Sequence, residues 1–158
     1  MKMSKEWHIP KKENIYVYCH RVRQLVDIMR QTLITNNEDE IYKLSIKYNI
    51  DVFSDEIKHA IQVLEKSDKN MEQIDFVDMI YQVAKRQLKL KRYDFVFIDE
   101  IQDLNRAQQM IVKQLIKPKT DRFIGVGDPF QSIYGFAGAD FESFDRMRTL
   151  MPNTVELP

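Results

Sequence analysis

No glycine precedes Gly125, and all four glycines of this 158-residue chain fall between Gly125 and Gly138. A phosphate-cradling loop needs glycines so that consecutive backbone N–H groups can close on phosphate oxygens, with Lys and Ser/Thr following. No Gly-x-x-x-x-Gly-Lys-[Ser/Thr] can therefore be written anywhere in the sequence. Cysteine is almost as scarce. Cys19 stands alone, which excludes an internal disulfide framework and points to a reducing compartment. Its neighbour His20 has no second Cys/His cluster with which to build a metal site. Long apolar runs are missing too: none approaches the ~18 residues of a membrane-spanning helix, and the charged N-terminus lacks the apolar stretch of a secretory leader. The expectation is a soluble, cytoplasmic chain without a membrane partner. Neither sign of charge is in excess, with 24 Lys+Arg against 24 Asp+Glu. A nucleic-acid partner would have to engage local patches.

What remains has the composition of an ordinary globular protein, 44% apolar and 30% charged, and is long enough for one respectable core. Two short stretches hold most of the information. Tyr93-Asp94-Phe95-Val96-Phe97-Ile98-Asp99-Glu100 is an apolar run that stops on two adjacent carboxylates, as a buried parallel strand does when it delivers chemistry at its carboxyl end. Gly127-Asp128-Pro129-Phe130-Gln131, followed by Tyr134, Gly135, Phe136 and Gly138, is a glycine-punctuated loop carrying an acid, an amide and aromatics. Ahead of the first stretch lies the densest basic patch, Lys85-Arg86-Gln87-Leu88-Lys89-Leu90-Lys91-Arg92. It reads either as a solvated helix C-terminus, where cations suit the helix dipole, or as a phosphate-contacting surface.

Residues 1–14 are polar and lysine-rich and read as a tail or linker. Residues 15–90 follow helical spacing throughout. Val22, Leu25, Val26, Met29 and Leu33 mark a first amphipathic helix, and Ile41, Leu44 and Tyr48 a short second one ending near Asn49. Ser54 opens a third with Ile57, Ala60, Ile61 and Leu64 on one face, and a turn at Ser67 to Asn70 follows. Val77, Ile80, Tyr81, Ala84 and Leu88 make a fourth stripe running to the basic patch. Residues 91–158 change pattern. Phe95 to Ile98 has the length and residue types of a strand, and Asp103 to Asn105 starts a helix that Pro118 ends. A second buried strand spans Arg122 to Val126, and Asp140 caps a last helix bearing Phe141, Phe144 and Met147. Strand, helix, strand is a βαβ unit, so the fold class is α/β: a helical N-terminal part followed by part of a parallel-sheet domain.

Parallel strands would put their carboxyl ends on one edge, bringing Asp99, Glu100, Asp128 and Gln131 to a single crevice. There Asp99 would hold Mg²⁺ through water, since that ion takes few carboxylates and keeps part of its hydration shell. Glu100, one residue beyond the strand, would orient and deprotonate an attacking water. Gln131, both donor and acceptor, suits sensing the γ-phosphate of ATP, while Asp128 would fix the loop or bind the waters of the metal. An acid at a strand end can equally do no more than cap the next helix. The second motif, at the right distance, favours nucleotide hydrolysis coupled to nucleic acid.

Ile98-Asp99-Glu100-Ile101-Gln102-Asp103-Leu104-Asn105 and the segment from Gly125 to Asp140 closely resemble helicase motifs II and III of superfamily 1, UvrD/Rep type. Ile74-Asp75-Phe76-Val77-Asp78 resembles, more weakly, the segment that family carries before motif II. The resemblance implies that Asp99 and Glu100 are the Mg²⁺-binding and water-activating acids, that Gln131 couples γ-phosphate state to DNA, and that Tyr134 and Phe136 face single-stranded DNA. Stacking a base on an aromatic is worth roughly 1–3 kcal/mol without sequence preference, which suits a translocating motor. It also implies that 15–90 correspond to the helical subdomain 1B and 91–158 to the later part of 1A, a RecA-like P-loop NTPase motor domain. Ala137 stands where many relatives carry arginine. The remaining partners would be the rest of the motor, meaning the phosphate-loop segment and a second RecA-like domain, and the chain alone is expected to be inactive. Two rival readings stay open: a non-catalytic nucleic-acid or protein-binding module derived from a helicase, and a metal-dependent phosphohydrolase or nuclease using Asp99, Glu100, Asp103 and Asp128 around two ions.

Overall fold

The computed structural model describes residues 14–70, 72–118, 122–131, 142–151 and 153–155. Packing divides the chain into two units, one comprising residues up to Met29 with Ile34–Gln73, the other Arg30–Leu33 with the residues from Ile74 onward. The first unit holds most of α1 (Ile15–Thr32) together with α2 (Glu38–Lys47) and α3 (Ser54–Lys69). Its core is built on the stripes visible in the sequence, with Val22, Leu25, Val26, Met29, Ile41 and Leu64 all buried, and Tyr18, which the stripes did not include, is buried with them. Each such side chain contributes about 1.5–3 kcal/mol through removal from water. Asn37 starts α2 by accepting the Glu40 N–H at 3.1 Å. At the start of α3 the fully buried Glu56 carboxylate accepts the Phe53 N–H at 2.7 Å and pairs with Arg21 Nε at 2.6 Å. The turn expected from Ser67 is absorbed into the helix, which continues to Lys69.

Helices that end without glycine must still turn the chain. Asn49 and Gln87 do so at φ of 54° and 48°, in the left-handed region that favours glycine. After α2 the Ile50 N–H reaches back to Ser45 O at 2.8 Å; after α4 (Phe76–Lys85) the Leu88 N–H reaches Val83 O at 3.1 Å. This closure stops α4 before Leu88. The cations from Lys89 to Arg92 therefore follow the helix instead of lying on it, and only Lys85 occupies the last turn.

In the second unit, Asp75 caps α4 by accepting the Asp78 N–H at 2.8 Å, and both acids meet the buried Arg30 at 3.2 and 3.3 Å. Then come β1 (Val96–Ile98), a 3₁₀ turn at Ile101–Asp103, α5 (Arg106–Leu115), β2 (Phe123–Gly125), a second 3₁₀ turn at Pro129–Gln131, and α6 (Ser143–Arg148). Asn105 caps α5 and α4 packs along it. The described residues are α/β, mostly helical with a two-stranded parallel sheet. Asp140 and Phe141 lie outside the described residues.

The strands read as buried on both faces, and here the structure differs. Val96 is buried, but Phe97 is 69% exposed, and Phe95, Ile124 and Val126 are also open. The Arg122 guanidinium lies 4.7 Å over the Phe95 ring, which stacks on Phe97 at 6.2 Å. A continuous apolar run is the signature of a sheet covered on two sides. The described residues cover one.

Two stability measurements check this account. Because Gln87 holds a strained backbone without burying its side chain, Gln87→Gly is expected to raise unfolding free energy by about 0.5–1 kcal/mol in urea titration; a loss would contradict the cap assignment. His59 bonds the buried Tyr18 hydroxyl at 2.5 Å, and burial holds its imidazole below the ordinary pKa despite Asp55 and Glu56 nearby. A folded state that resists protonation loses stability as pH falls through about 6.5, because the unfolded chain takes up the proton first. The wild type should lose stability on acidification and His59→Gln should lose less; equal losses would remove His59 from the explanation.

Candidate functional site

The sheet register sets the site. Val96 pairs with Phe123, Phe97 with Ile124 and Ile98 with Gly125, all parallel. The ladder runs on past the strands, with Val126 N donating to Ile98 O at 2.8 Å and Ile101 N to Val126 O at 3.0 Å. Asp99 and Glu100 thus leave β1 at the edge where Gly127 and Asp128 leave β2.

Gln102 joins the two strand ends. Its Nε2 donates to Glu100 Oε2 at 2.6 Å, while its Oε1 accepts the Asp128 N–H at 3.1 Å. The Gln102 side chain is buried, while its partners are not: Glu100 is exposed and Asp128 half-buried, so both bonds are partly shielded from water. Space for it depends on Gly127. A Cβ there would fall on Gln102 Oε1 and 2.9 Å from Ile101 Cγ1, so it is close approach and not a positive φ that excludes a larger residue. Asp128 in turn holds the next turn together, accepting Phe130 N–H at Oδ1 (2.9 Å) and Gln131 Nε2 at Oδ2 (2.8 Å). The Gln131 amide keeps one N–H beyond that bond.

Glu100 adopts φ 53°, ψ 48°, a left-handed conformation that costs a non-glycine residue of order 1 kcal/mol. The turn lets its carboxylate face Gln102 and starts the 3₁₀ turn that carries Asp103 inward. Asp103 Oδ1 is buried without a hydrogen-bond partner, and burial first, then the Glu100 charge, pushes this carboxyl above its usual range. The loop is pinned from behind by a buried polar set. Ser143 Oγ donates to Ile101 O at 2.8 Å and accepts from Gln109 Nε2 at 3.0 Å, which also donates to Leu104 O at 3.0 Å. Gln102, Gln109 and Ser143 carry no charge and gain their partners only through the fold, so residue type gave no sign of them.

Asp99 accepts the Glu100 N–H at Oδ1, 3.0 Å, and its carboxylate is exposed, with no protein partner at Oδ2 among the described residues. Among those residues no three His, Cys, Asp or Glu side chains converge as a metal-ligating group. One hard carboxylate oxygen at a strand end fits Mg²⁺, which is commonly held by one or two carboxylates with substrate phosphates and water. Four acids around two ions would need a convergence the described residues do not show. Tyr134 and Phe136 lie outside the described residues. No helix among the described residues is long and apolar enough to cross a membrane.

The UvrD/REP helicase N-terminal domain family matches residues 5–152. The chain belongs to that family. It is 34% identical over 105 residues to the ATP-dependent DNA helicase PcrA of Bacillus subtilis (strain 168), a match covering 65% of this chain and 14% of PcrA. DNA helicase II of Haemophilus influenzae is 32% identical over 93 residues, 53% of this chain and 13% of the relative. The RecBCD enzyme subunit RecB of Buchnera aphidicola subsp. Acyrthosiphon pisum is 35% identical over 111 residues, 65% and 9%. The chain therefore spans 14% or less of the length of these relatives. The UvrD/Rep type of superfamily 1 helicase, named above on motifs II and III, is the family shown.

In this UvrD/REP domain the Gln102 bridge is open to a double-mutant cycle. Gly127→Ala should cost about 2 kcal/mol of stability by overpacking, and Gln102→Ala about 1–2 kcal/mol through loss of two partly buried bonds. Combined, they should cost less than their sum, since removing Gln102 vacates the atom the new methyl would strike. Simple additivity in urea unfolding would separate the two residues.

Proposed function

We propose that this chain forms part of an ATP-dependent DNA helicase or translocase, moving 3′ to 5′ on single-stranded DNA. It contributes the acids of Mg-ATP hydrolysis and the loop that couples nucleotide state to DNA. The observation that carries this reading is the Gln102 amide, bonded at once to Glu100 and to Asp128, so that the turn after β1 and the turn after β2 form one hydrogen-bonded unit. Glu100, with Oε2 fixed by Gln102, presents Oε1 to orient and deprotonate a water. Asp99 would hold Mg²⁺, which when bound supplies neutralisation of charge on the phosphate oxygens. Gln131, steadied by Asp128, offers its remaining N–H to a γ-phosphate oxygen. Loss of that acceptor on hydrolysis would change the Asp128–Gln131 turn and, through the following residues, the Tyr134 and Phe136 contacts with single-stranded bases.

We assign residues 15–90 to a 1B-like helical subdomain and 91–158 to the later part of a 1A-like RecA domain, acting in the cytoplasm. The phosphate loop, which this sequence does not contain, and a second RecA-like domain are the partners that complete the motor. The uncovered face bearing Phe95, Phe97 and Ile124 supports that reading, because a parallel sheet is normally layered on both sides.

A chimera of Bacillus subtilis PcrA carrying this chain's residues over the matched segment tests the assignment. DNA-stimulated ATP turnover is expected, and Glu100→Gln should lower kcat by roughly 10²–10⁴-fold with little change in KM. The chain by itself should show no turnover. Hydrolysis indifferent to Glu100→Gln in the chimera would overturn the assignment, as would Glu100-dependent hydrolysis by the chain alone. The non-catalytic alternative, a nucleic-acid or protein-binding module, is favoured if DNA binding by the chain survives Asp99→Asn while the chimera stays inactive.

A further inference from the structure

The proposed function leaves the basic patch without a task, and the fold gives it one neighbour the sequence does not reveal. An open groove of about 830 Å³ is lined from one side by residues following α4 and from the other by the second half of α5. Lys89 and Arg92 come from the first, Lys113 from the second. Gln87 and Gln114 add amide donors, the apolar side chains between them are Leu90 and Met110, and no acid lines it.

The three cations form no ion pair among the described residues. The nearby acid in sequence, Asp94, is held by Lys117 Nζ at 2.9 Å through both oxygens and does not neutralise them. The helix dipole does not explain Lys89 and Arg92 either, because α4 has ended at Lys85. Converging unpaired cations with amide donors suit a row of phosphate oxygens. The lining has no aromatic side chain on which a base could stack, so contact is with the backbone and is indifferent to sequence.

We propose that this groove binds the phosphodiester backbone of nucleic acid, as a second contact separate from the one assigned to Tyr134 and Phe136. It lies at the opposite end of the β1–α5 layer from Asp99 and Glu100: the groove residues precede β1 and follow the middle of α5, whereas the acids follow β1 and precede α5. The ten residues of α5 rise about 15 Å, which sets the scale of the separation. The inference rests on the DNA-directed reading above.

Fluorescence anisotropy of the full chain with labelled duplex and single-stranded oligonucleotides, over a salt series, decides it. The Lys89→Ala/Arg92→Ala/Lys113→Ala variant should bind duplex roughly tenfold or more weakly at about 0.1 M salt. The slope of log K against log salt should shrink in magnitude by about 2–3, the value for three lost phosphate contacts. Lys89→Arg/Lys113→Arg should retain binding, and circular dichroism should show each variant folded. Unchanged affinity and slope in the triple variant would overturn the assignment, as would a wild-type chain that binds neither oligonucleotide. Binding to vesicles of anionic phospholipid in preference to DNA would also overturn it and point to a membrane surface. If the motor reading is what fails, the signature differs: the groove-dependent salt slope persists while the PcrA chimera is indifferent to Glu100→Gln.

Discussion

One amide holds the candidate site together. Parallel pairing of β1 with β2 brings two strand ends to a common edge, but the backbone ladder, which runs on to the bond from Ile101 N to Val126 O, leaves Glu100 and Asp128 independent of each other. Gln102 removes that independence by donating to the acid after β1 and accepting from the backbone after β2. An amide is suited to this because it can do both at once, whereas a carboxylate could accept only and an ammonium donate only. The requirement propagates outward. Gly127 must be glycine for the amide to fit, Ile101 must sit where Val126 O takes its N–H, and Ser143 with Gln109 holds the Ile101 carbonyl from behind.

The same sheet is otherwise sparsely supported. Parallel pairs are slightly weaker per residue than antiparallel ones, and three paired positions make a short ladder. Its extension comes from outside the strands, at Tyr93, where the backbone bonds Leu115 O and Lys117 N, and at Val126. On the open side, Phe95, Phe97 and Ile124 form an apolar surface partly shielded by Arg122. Leaving such side chains in water forfeits the burial energy that holds α1, α2 and α3 together in the other unit. The balance between the two units is therefore unequal: the centres of the helical stripes are buried, while the strands carry an apolar face still to be matched.

Legibility followed the same division. The helices of the first unit could be read because burial at every third or fourth residue is a local pattern. The strands were readable as strands, and the carboxylates at their ends as candidates, because composition changes sharply at Tyr93. Exposure of Phe97 was not readable, since an apolar residue in a run looks the same whether its layer is present or not. Leu88 was misplaced on α4 because its spacing fits the stripe, and only the left-handed turn at Gln87, filled without glycine, ends the helix first.

Charge distribution shows why such non-local terms matter in a chain whose net charge is zero. Zero net charge predicts weak long-range attraction to nucleic acid, yet it says nothing about where the charges lie. Along the β1–α5 layer the acids 99, 100 and 103 gather beyond the strand's carboxyl end, and Lys89, Arg92 and Lys113 gather beyond its amino end. The direction of the chain enforces this separation: a strand and the helix that follows it run in opposite senses, so residues before β1 meet the end of α5. Lys113 joins the basic patch for that reason alone. A salt-dependent contact with a polyanion can then form at one end of the layer without repulsion from the carboxylates at the other, because the helix length exceeds the roughly 8–10 Å over which exposed charges act at physiological salt.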